Sequence, residues 1–121
     1  MARRRRNSGK QKLMEARVKV WLEVDGRYVF GHGVSEMLKA VESAGSIKGA
    51  AELLGKSYRH VWSRIKNVES DLGQSLVETQ VGGTGVRRSS LTALASQLVA
   101  DYDALRQRTF QVVDDEFSSR F

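Results

Sequence analysis

The sequence predicts an α+β fold that is mainly α-helical, and three observations support this. Alternating apolar and polar residues, which are typical of strands, occur only in short stretches near residues 18–30 and 76–90. Between these stretches, from 34 to 72, apolar residues recur with the spacing of helices. The same spacing returns over about 92–117 and predicts one long C-terminal helix.

Composition limits the class of protein. A chain of 121 residues forms one domain, and the absence of Cys excludes disulfides and thiolate metal sites. No apolar run reaches the roughly 20 residues of a membrane span, and no hydrophobic segment follows the basic N-terminus as in a signal peptide. We therefore expect a cytoplasmic protein with no membrane partner.

The net charge of +6 is concentrated at the N-terminus. The first 20 residues hold eight basic residues and one acidic residue, a balance of +7, so the other 101 residues carry −1. We expect residues 1–17 to form a disordered basic arm, which suits a polyanion because each neutralised phosphate releases counterions. The alternative is a solubilising tail. The folded domain is expected over 18–121.

The first hairpin is predicted by alternation and by its turn. The alternating apolar residues of its first strand are Val18, Val20, Leu22 and Val24. Asp25-Gly26 then supplies the positive φ angles of a tight turn, and Tyr28-Val29-Phe30 forms the returning strand.

Three helices are predicted next, each followed by a glycine. The first covers roughly 34–44. Ser46 caps the second, which stops at Gly55, and Ser57 caps the third, which stops at Gly73. Because only about three residues around Gly55 separate the second helix from the third, the pair is predicted to be a helix-turn-helix.

Gly55-Lys56-Ser57 also matches the last three residues of the sequence motif of a phosphate-binding nucleotide loop. That loop needs two glycines separated by four residues, whereas Gly49 precedes Gly55 by six positions across helical core residues. The spacing and the helical context exclude this interpretation.

A second hairpin is predicted directly after the third helix. Its strand candidates are Leu76–Thr79 and Arg87–Ser90, joined by the glycine-rich loop 81–86. A β-hairpin that directly follows the second helix of a helix-turn-helix is called a wing. Arg87 and Arg88 would then lie beside the sugar-phosphate backbone or the minor groove of a duplex.

The third helix carries the candidate contact residues. Its apolar stripe of Val61, Ile65 and Val68 faces the core, so the opposite side and its flanks present polar side chains outward. The candidates for base-edge contact are Arg59, His60, Ser63 and Asn67. The candidates for phosphate contact are Ser57, Tyr58, Arg64, Lys66, Arg87 and Arg88. The alternative for each residue is a solvated side chain, but their collective placement favours binding.

The aromatic and histidine residues of this region are expected to have other roles. Trp62 and Tyr58 are expected to be packing residues, with the Tyr58 hydroxyl a candidate phosphate donor. No metal site is expected, because His60 and His32 lack a carboxylate pair at ligand spacing and the carboxylates of 114–116 diverge around a helix. No cofactor is expected either.

The last helix carries an apolar stripe that is longer than one small domain covers. Leu91, Leu98, Leu105 and Val112 recur every seven residues. We expect a dimerisation helix over about 92–117, whose interface residues are Leu98, Tyr102, Leu105 and Val112. The alternative is a helix folded back on its own core.

The run from Trp21 to Leu105 resembles a known family, the N-terminal LysR-like winged helix-turn-helix domain of ModE-type molybdate-responsive transcriptional regulators. The matching stretches are LEVDGRYVFGHG, ESAGSIKGAAELLGKSYRHVW and LVETQVGGTGVRRSSLT. The resemblance implies a homodimer on a palindromic operator, with the helix from Ser57 in the major groove and the last helix at the dimer interface. Full-length members also carry a C-terminal oxyanion-binding module, which has no counterpart before Phe121. Molybdate sensing is therefore not carried over, and no small-molecule effector is evident from this sequence.

Together these observations predict a sequence-specific transcriptional regulator that binds double-stranded DNA as a homodimer. The alternative is a winged-helix module that binds another protein without specific DNA binding. An enzyme is disfavoured, because two lone histidines, no Cys and no paired carboxylates in a pocket leave little for acid–base chemistry.

Overall fold

The computed structural model describes residues 13–83, 85 and 87–121, so residues 1–12 of the predicted basic arm lie outside the described residues. The elements follow in the predicted order of hairpin, three helices, second hairpin and long helix. They are β1 (Leu22–Val24), β2 (Arg27–Phe30), α1 (His32–Ala44), α2 (Ile47–Leu54), α3 (Tyr58–Leu72), β3 (Val77–Val81), β4 (Arg87–Leu91) and α4 (Ala93–Arg120). The predicted α+β fold, mainly α-helical and with a winged helix-turn-helix, is confirmed.

The first hairpin turns at the predicted dipeptide. Asp25 has a φ of 52° and Gly26 a φ of 77°, the pair of positive values that a two-residue hairpin turn of this hand requires. Strand β1 is shorter than predicted and begins only at Leu22. The reason is that β2 ends at Phe30, the partner of Leu22, so that residues further upstream have no strand to pair with.

The helix-turn-helix forms from strong local signals. The Ser46 hydroxyl accepts a hydrogen bond from the Gly49 amide at 2.9 Å, and the Ser57 hydroxyl accepts one from the His60 amide at 3.0 Å. Each bond satisfies an amide that has no partner within its own helix. Gly55, with a φ of 65°, ends α2 in the left-handed conformation that favours glycine. Both predicted caps are confirmed.

The core lies where the three short helices meet. Leu38 and Val41 of α1, Ala50 of α2, and Val61 and Ile65 of α3 are fully buried. The small side chain at position 50 lets α2 lie close to its neighbours. Helix α1 begins two residues earlier than predicted, because the helical spacing of apolar residues starts only at its third residue, Val34.

The wing is an antiparallel hairpin in which Val77 pairs with Leu91 and Val81 pairs with Arg87. The middle of β4 is joined to the end of α1, since the Ser89 amide donates to the Gly45 carbonyl at 2.8 Å. Strand β3 begins one residue later and ends two residues later than predicted, and β4 ends one residue later than predicted. Positions 84 and 86 of the predicted loop lie outside the described residues.

Helix α4 has 28 residues and is about 42 Å long. The Thr92 hydroxyl caps it by accepting from the Ala95 amide at 3.2 Å. Only the first part of the helix packs into the domain, where Ala95, Val99 and Tyr102 are buried. The part from 103 to 120, all of which the structure describes, contains no fully buried residue. No helix in the described part of the chain is long and apolar enough to cross a membrane.

The assignment of Tyr102 to a dimer interface is wrong. The side chain is only 2% exposed within the single chain. Its hydroxyl donates to the Val20 carbonyl at 2.7 Å, and its ring meets the Phe30 ring edge-on at 5.2 Å. Tyr102 lies about 40° around the helix from Leu98 and about 60° from Leu105, on the side that packs against α4's own domain.

A polar cluster fixes α4 to α1. The Asp103 carboxylate accepts from the Ser35 hydroxyl at 3.0 Å and from the Lys39 ammonium at 2.8 Å. Burial alone would raise the pKa of Asp103, but these hydrogen bonds outweigh it and hold the pKa below its ordinary value. The first part of α4 is therefore held by both apolar and charged contacts.

Candidate nucleic-acid interface

Helix α3 turns a polar face outward because its apolar stripe is used by the core. Val61, Ile65 and Val68 are buried on one side. The predicted base-contacting residues lie on the remaining surface, with Arg59, His60 and Asn67 exposed and Ser63 half-buried. At the start of the helix, the Ser57 hydroxyl serves as its cap.

The two flanks of α3 have different neighbours. On one flank, the half-buried Arg64 lies with its guanidinium carbon 6.0 Å from the centre of the Tyr28 ring of the first hairpin. On the other flank, the Lys66 ammonium lies 5.8 Å from the centre of the Trp62 ring and 3.1 Å from the Glu69 carboxylate. The predicted phosphate contacts Arg64 and Lys66 are thus on opposite edges of the helix.

The expectation that Tyr58 and Trp62 pack in the core is wrong. Tyr58 is 50% exposed and Trp62 is 42% exposed. The buried stripe of α3 consists of Val61, Ile65 and Val68. The two aromatic side chains lie at the border of this stripe and face the side of the wing.

The two wing arginines lie on opposite faces of the hairpin. Arg87 and Arg88 are both exposed, but they are neighbours on β4, so their side chains point to opposite faces of the hairpin. Arg87 borders the space between the wing and α3. The structure therefore brings Arg87, and not Arg88, together with Tyr58 and Lys66.

A groove of about 530 Å³ runs between α3 and the wing. We call it the α3–wing groove. Tyr58 and Trp62 line it with aromatic rings, and Lys48, Lys66 and Arg87 line it with positive charge. Lys48 was missed in the sequence analysis, although its place in the first turn of α2, just after the Ser46 cap, is a signal that could have found it.

Glu69 joins the two walls of this groove and was also missed. One carboxylate oxygen pairs with Lys66, and the other accepts from the amides of Leu76 and Val77 at 2.8 and 3.1 Å, at the beginning of the wing. Burial alone would raise the pKa of Glu69, but the two amides and the ammonium outweigh it and lower the pKa. No sequence signal marks this role, because the wing residues lie seven and eight positions further along the chain.

A second exposed surface lies on α4. Leu105 is 45% exposed and Val112 is 43% exposed, whereas Leu98 is partly buried against the core. Leu94, which is also exposed, belongs to the same row, which we call the α4 row. Within residues 13–83, 85 and 87–121, no group of three or more His, Cys, Asp and Glu side chains is arranged to hold a metal ion.

Residues 35–96 match the family described as bacterial regulatory helix-turn-helix protein, lysR family. This match covers half of the chain and contains α2, α3 and the wing. The chain belongs to the lysR family. The family is one of regulators, which is a non-enzymatic class, and this confirms the prediction that the chain is not an enzyme.

Curated relatives of this lysR-family chain carry the name ModE. It is 29% identical over 106 residues to the transcriptional regulator ModE of Yersinia pestis, covering 85% of this chain and 40% of the relative. It is 28% identical over 99 residues to the molybdenum transport protein ModE of Herbaspirillum seropedicae, covering 82% of this chain and 35% of the relative. The resemblance to ModE-type regulators is confirmed, and the chain spans about two fifths of the length of these relatives.

Solved structures show the same fold. The DNA-binding domain in the crystal structure of the CbnR_DBD–DNA complex superposes with a TM-score of 0.58 at 22% identity, covering 74% of this chain and 97% of that one. ArgP from Mycobacterium tuberculosis superposes with a TM-score of 0.51 at 24% identity, covering 70% of this chain and 30% of that one. Both likenesses concern the fold of the lysR-family domain.

Proposed function

We propose that this lysR-family chain binds double-stranded DNA in a sequence-specific manner and regulates transcription. The observation that carries the proposal is the outward polar face of α3, with Arg59, His60 and Asn67 exposed beside a basic wing. An α-helix fits the major groove, where arginine pairs with guanine and asparagine with adenine. The DNA bound in the related solved structure and the names of the ModE relatives support the same function.

In this proposal the residues divide into two groups. Arg59, His60, Ser63 and Asn67 contact base edges. Ser57, Tyr58, Arg64, Lys66, Arg87 and Arg88 contact phosphates, and the wing arginines reach the backbone beside the major groove. Phosphate contacts fix the position of the helix on the duplex, and base contacts determine which DNA sequence is bound.

We further propose that two copies bind one operator. A single winged domain covers only a short site, whereas a two-fold dimer covers two half-sites about one helical turn, or a multiple of it, apart. The α4 row offers Leu98, Leu105 and Val112 for this contact, and exposed apolar rows of this length are typical of interfaces. The two copies would make the same contacts about a two-fold axis.

The test is selection of bound sequences from a random duplex pool, followed by titration of the selected site at several salt concentrations. We expect a palindromic consensus and an affinity that falls steeply with ionic strength, because bound phosphates release counterions. Recovery of no consensus, together with salt-independent binding, would contradict the proposal. That result would favour a winged-helix module that binds protein.

A further inference from the structure

We propose that the α3–wing groove holds the sugar-phosphate backbone of one DNA strand, with Trp62 as the apolar wall against which a deoxyribose packs. The inference rests on the proposed function. It gives a role in binding to Trp62, which is among neither the base-contacting nor the phosphate-contacting residues. Three observations carry it: the exposure of the ring, the charge of the groove and the rigidity of its walls.

The exposure of Trp62 needs an explanation. A tryptophan that is 42% exposed beside a Tyr58 that is 50% exposed forms an apolar patch on an otherwise polar face. Such a patch at the border of a contact helix is typical of a binding surface. The neighbouring core does not need the ring, because Val61 and Ile65 already fill that position and are fully buried.

The positive charge of the groove favours a DNA strand as the bound partner. Its lining contains three cations, Lys48, Lys66 and Arg87, and no carboxylate among the described residues. A sugar-phosphate strand alternates anionic phosphates with apolar sugar faces, so it complements walls that alternate cations with aromatic rings. An apolar helix would bring no counter-charge to Lys48 and Arg87 in a partly closed groove, which costs free energy.

The walls are held in place before any ligand binds. The Glu69 carboxylate connects Lys66 on α3 with the first amides of the wing, so it fixes the spacing between the two sides. The Lys66 ammonium lies 5.8 Å from the centre of the Trp62 ring. Because the cation covers the ring on that side, a stacked base would have to displace it, whereas a sugar packs against the remaining surface. The Lys66 ammonium then stays in place, and the N–H donors that it does not give to Glu69 bind the adjacent phosphate.

The first experiment uses Trp62 as its own reporter. The chain has two tryptophans, so a Trp21→Phe background leaves Trp62 as the single emitting indole. We expect duplex DNA, either the selected site or a random sequence of the same length, to protect Trp62 from iodide quenching. Binding of both duplexes without any change in Trp62 emission or quenching would overturn the inference and leave the proposed function intact.

The second experiment compares affinities of Trp62→Ala, Trp62→Phe and Lys66→Ala. We expect Trp62→Ala to weaken binding to the selected and the random duplex by the same factor, roughly tenfold, and to leave the salt slope unchanged, since no phosphate contact is lost. Trp62→Phe should keep most of the affinity. Lys66→Ala should reduce the salt slope by about 0.9, the value for one phosphate.

The outcomes separate the alternatives. A loss by Trp62→Ala that is confined to the selected site would assign Trp62 to a base and overturn the inference. An unchanged affinity on both duplexes would overturn it as well. If Trp62→Ala does not fold, as thermal unfolding would reveal, the quenching experiment decides alone. Absence of duplex binding by the unmodified protein would instead contradict the proposed function.

Discussion

On helix α3, side chains one turn apart have different roles because the rest of the fold holds some of them in place. Glu69 is directed toward the wing by two backbone amides, and Lys66 is directed by Glu69. Arg59 is exposed near the start of the helix, where recognition helices contact bases. Substitutions at these positions should therefore affect different properties of the protein.

Replacing Arg59 by Ala should weaken binding to the selected site by about 1–3 kcal/mol and leave binding to random duplex nearly unchanged, as loss of one base contact does. Fluorescence anisotropy on both duplexes measures the two affinities. Arg120→Ala is the matched control, because it removes an exposed arginine at the far end of α4. An equal loss on both duplexes would move Arg59 to the phosphate-contacting group.

Replacing Glu69 by Gln should lower the free energy of unfolding at pH 7 by about 1–3 kcal/mol, since hydrogen bonds to an ionised group are lost. The pKa of Glu69 is lower in the folded chain than its ordinary value of 4.5. The stabilisation is therefore complete above that value and is lost as the pH falls through the folded pKa.

Urea unfolding of Glu69→Gln and the unmodified protein at pH 7 and near pH 3 tests this. The difference between them should shrink at the lower pH. Glu78→Gln is the control, because Glu78 is an exposed carboxylate on β3 and should change the free energy of unfolding little at either pH. A difference that stays constant with pH would contradict the assigned role of Glu69.

Among the elements, α4 differs most from one end to the other. Its first part packs against the rest of the domain through Tyr102 and Asp103, whereas Leu105 and Val112 further along the helix are exposed. The hydroxyl of Tyr102 also holds the extended segment before β1, by donating to the Val20 carbonyl at 2.7 Å. This bond connects the last element of the chain to residues ahead of the first.

Replacing Tyr102 by Phe should therefore cost about 0.5–1.5 kcal/mol of folding free energy, the usual net value of one hydrogen bond. Thermal or urea unfolding measures it. Tyr58→Phe removes a hydroxyl from a half-exposed tyrosine and should leave stability unchanged. Equal stability of the two variants would contradict the role given to the Tyr102 hydroxyl.

At the scale of the whole molecule, the α4 row is the surface on which the proposed dimer depends. Leu105→Glu would place a charge in an apolar seam, or against its own symmetry mate, and should yield monomers. These monomers should keep weak non-specific binding and lose binding to the selected site. Light scattering and duplex titration measure both effects.

Ala100→Glu is the matched control, since Ala100 is exposed and lies on the other side of α4 from the row. This variant should stay dimeric. A parent protein that is monomeric at micromolar concentration, and still binds a palindromic site tightly, would contradict the dimer proposal.

The charge of the N-terminal arm is a second property of the whole molecule. Deleting residues 2–12 should weaken binding to every duplex and flatten the dependence of log affinity on log salt, because the arm supplies positive charge without sequence preference. A full-length control with glutamine at 3–6 separates charge from length. An unchanged salt slope would leave the arm a solubilising tail.

Much of the fold was predictable because its signals are local. The caps at Ser46, Ser57 and Thr92 each act within three residues, and Asp25-Gly26 determines its turn by itself. Helical spacing then located each apolar stripe. The length of β1 was not predictable, because it depends on where the partner strand ends.

The sequence by itself determined the order of the elements, the buried face of each helix and the polar face of α3, since each follows from periodicity and capping over a few residues. Only the tertiary structure decided which residues at the border of a stripe are buried. Tyr102 is inside and Trp62 is at the surface, because the width of a buried stripe depends on the elements that pack against it. The same reason applies to Glu69, whose partners Leu76 and Val77 meet its carboxylate only after the chain has turned back after α3.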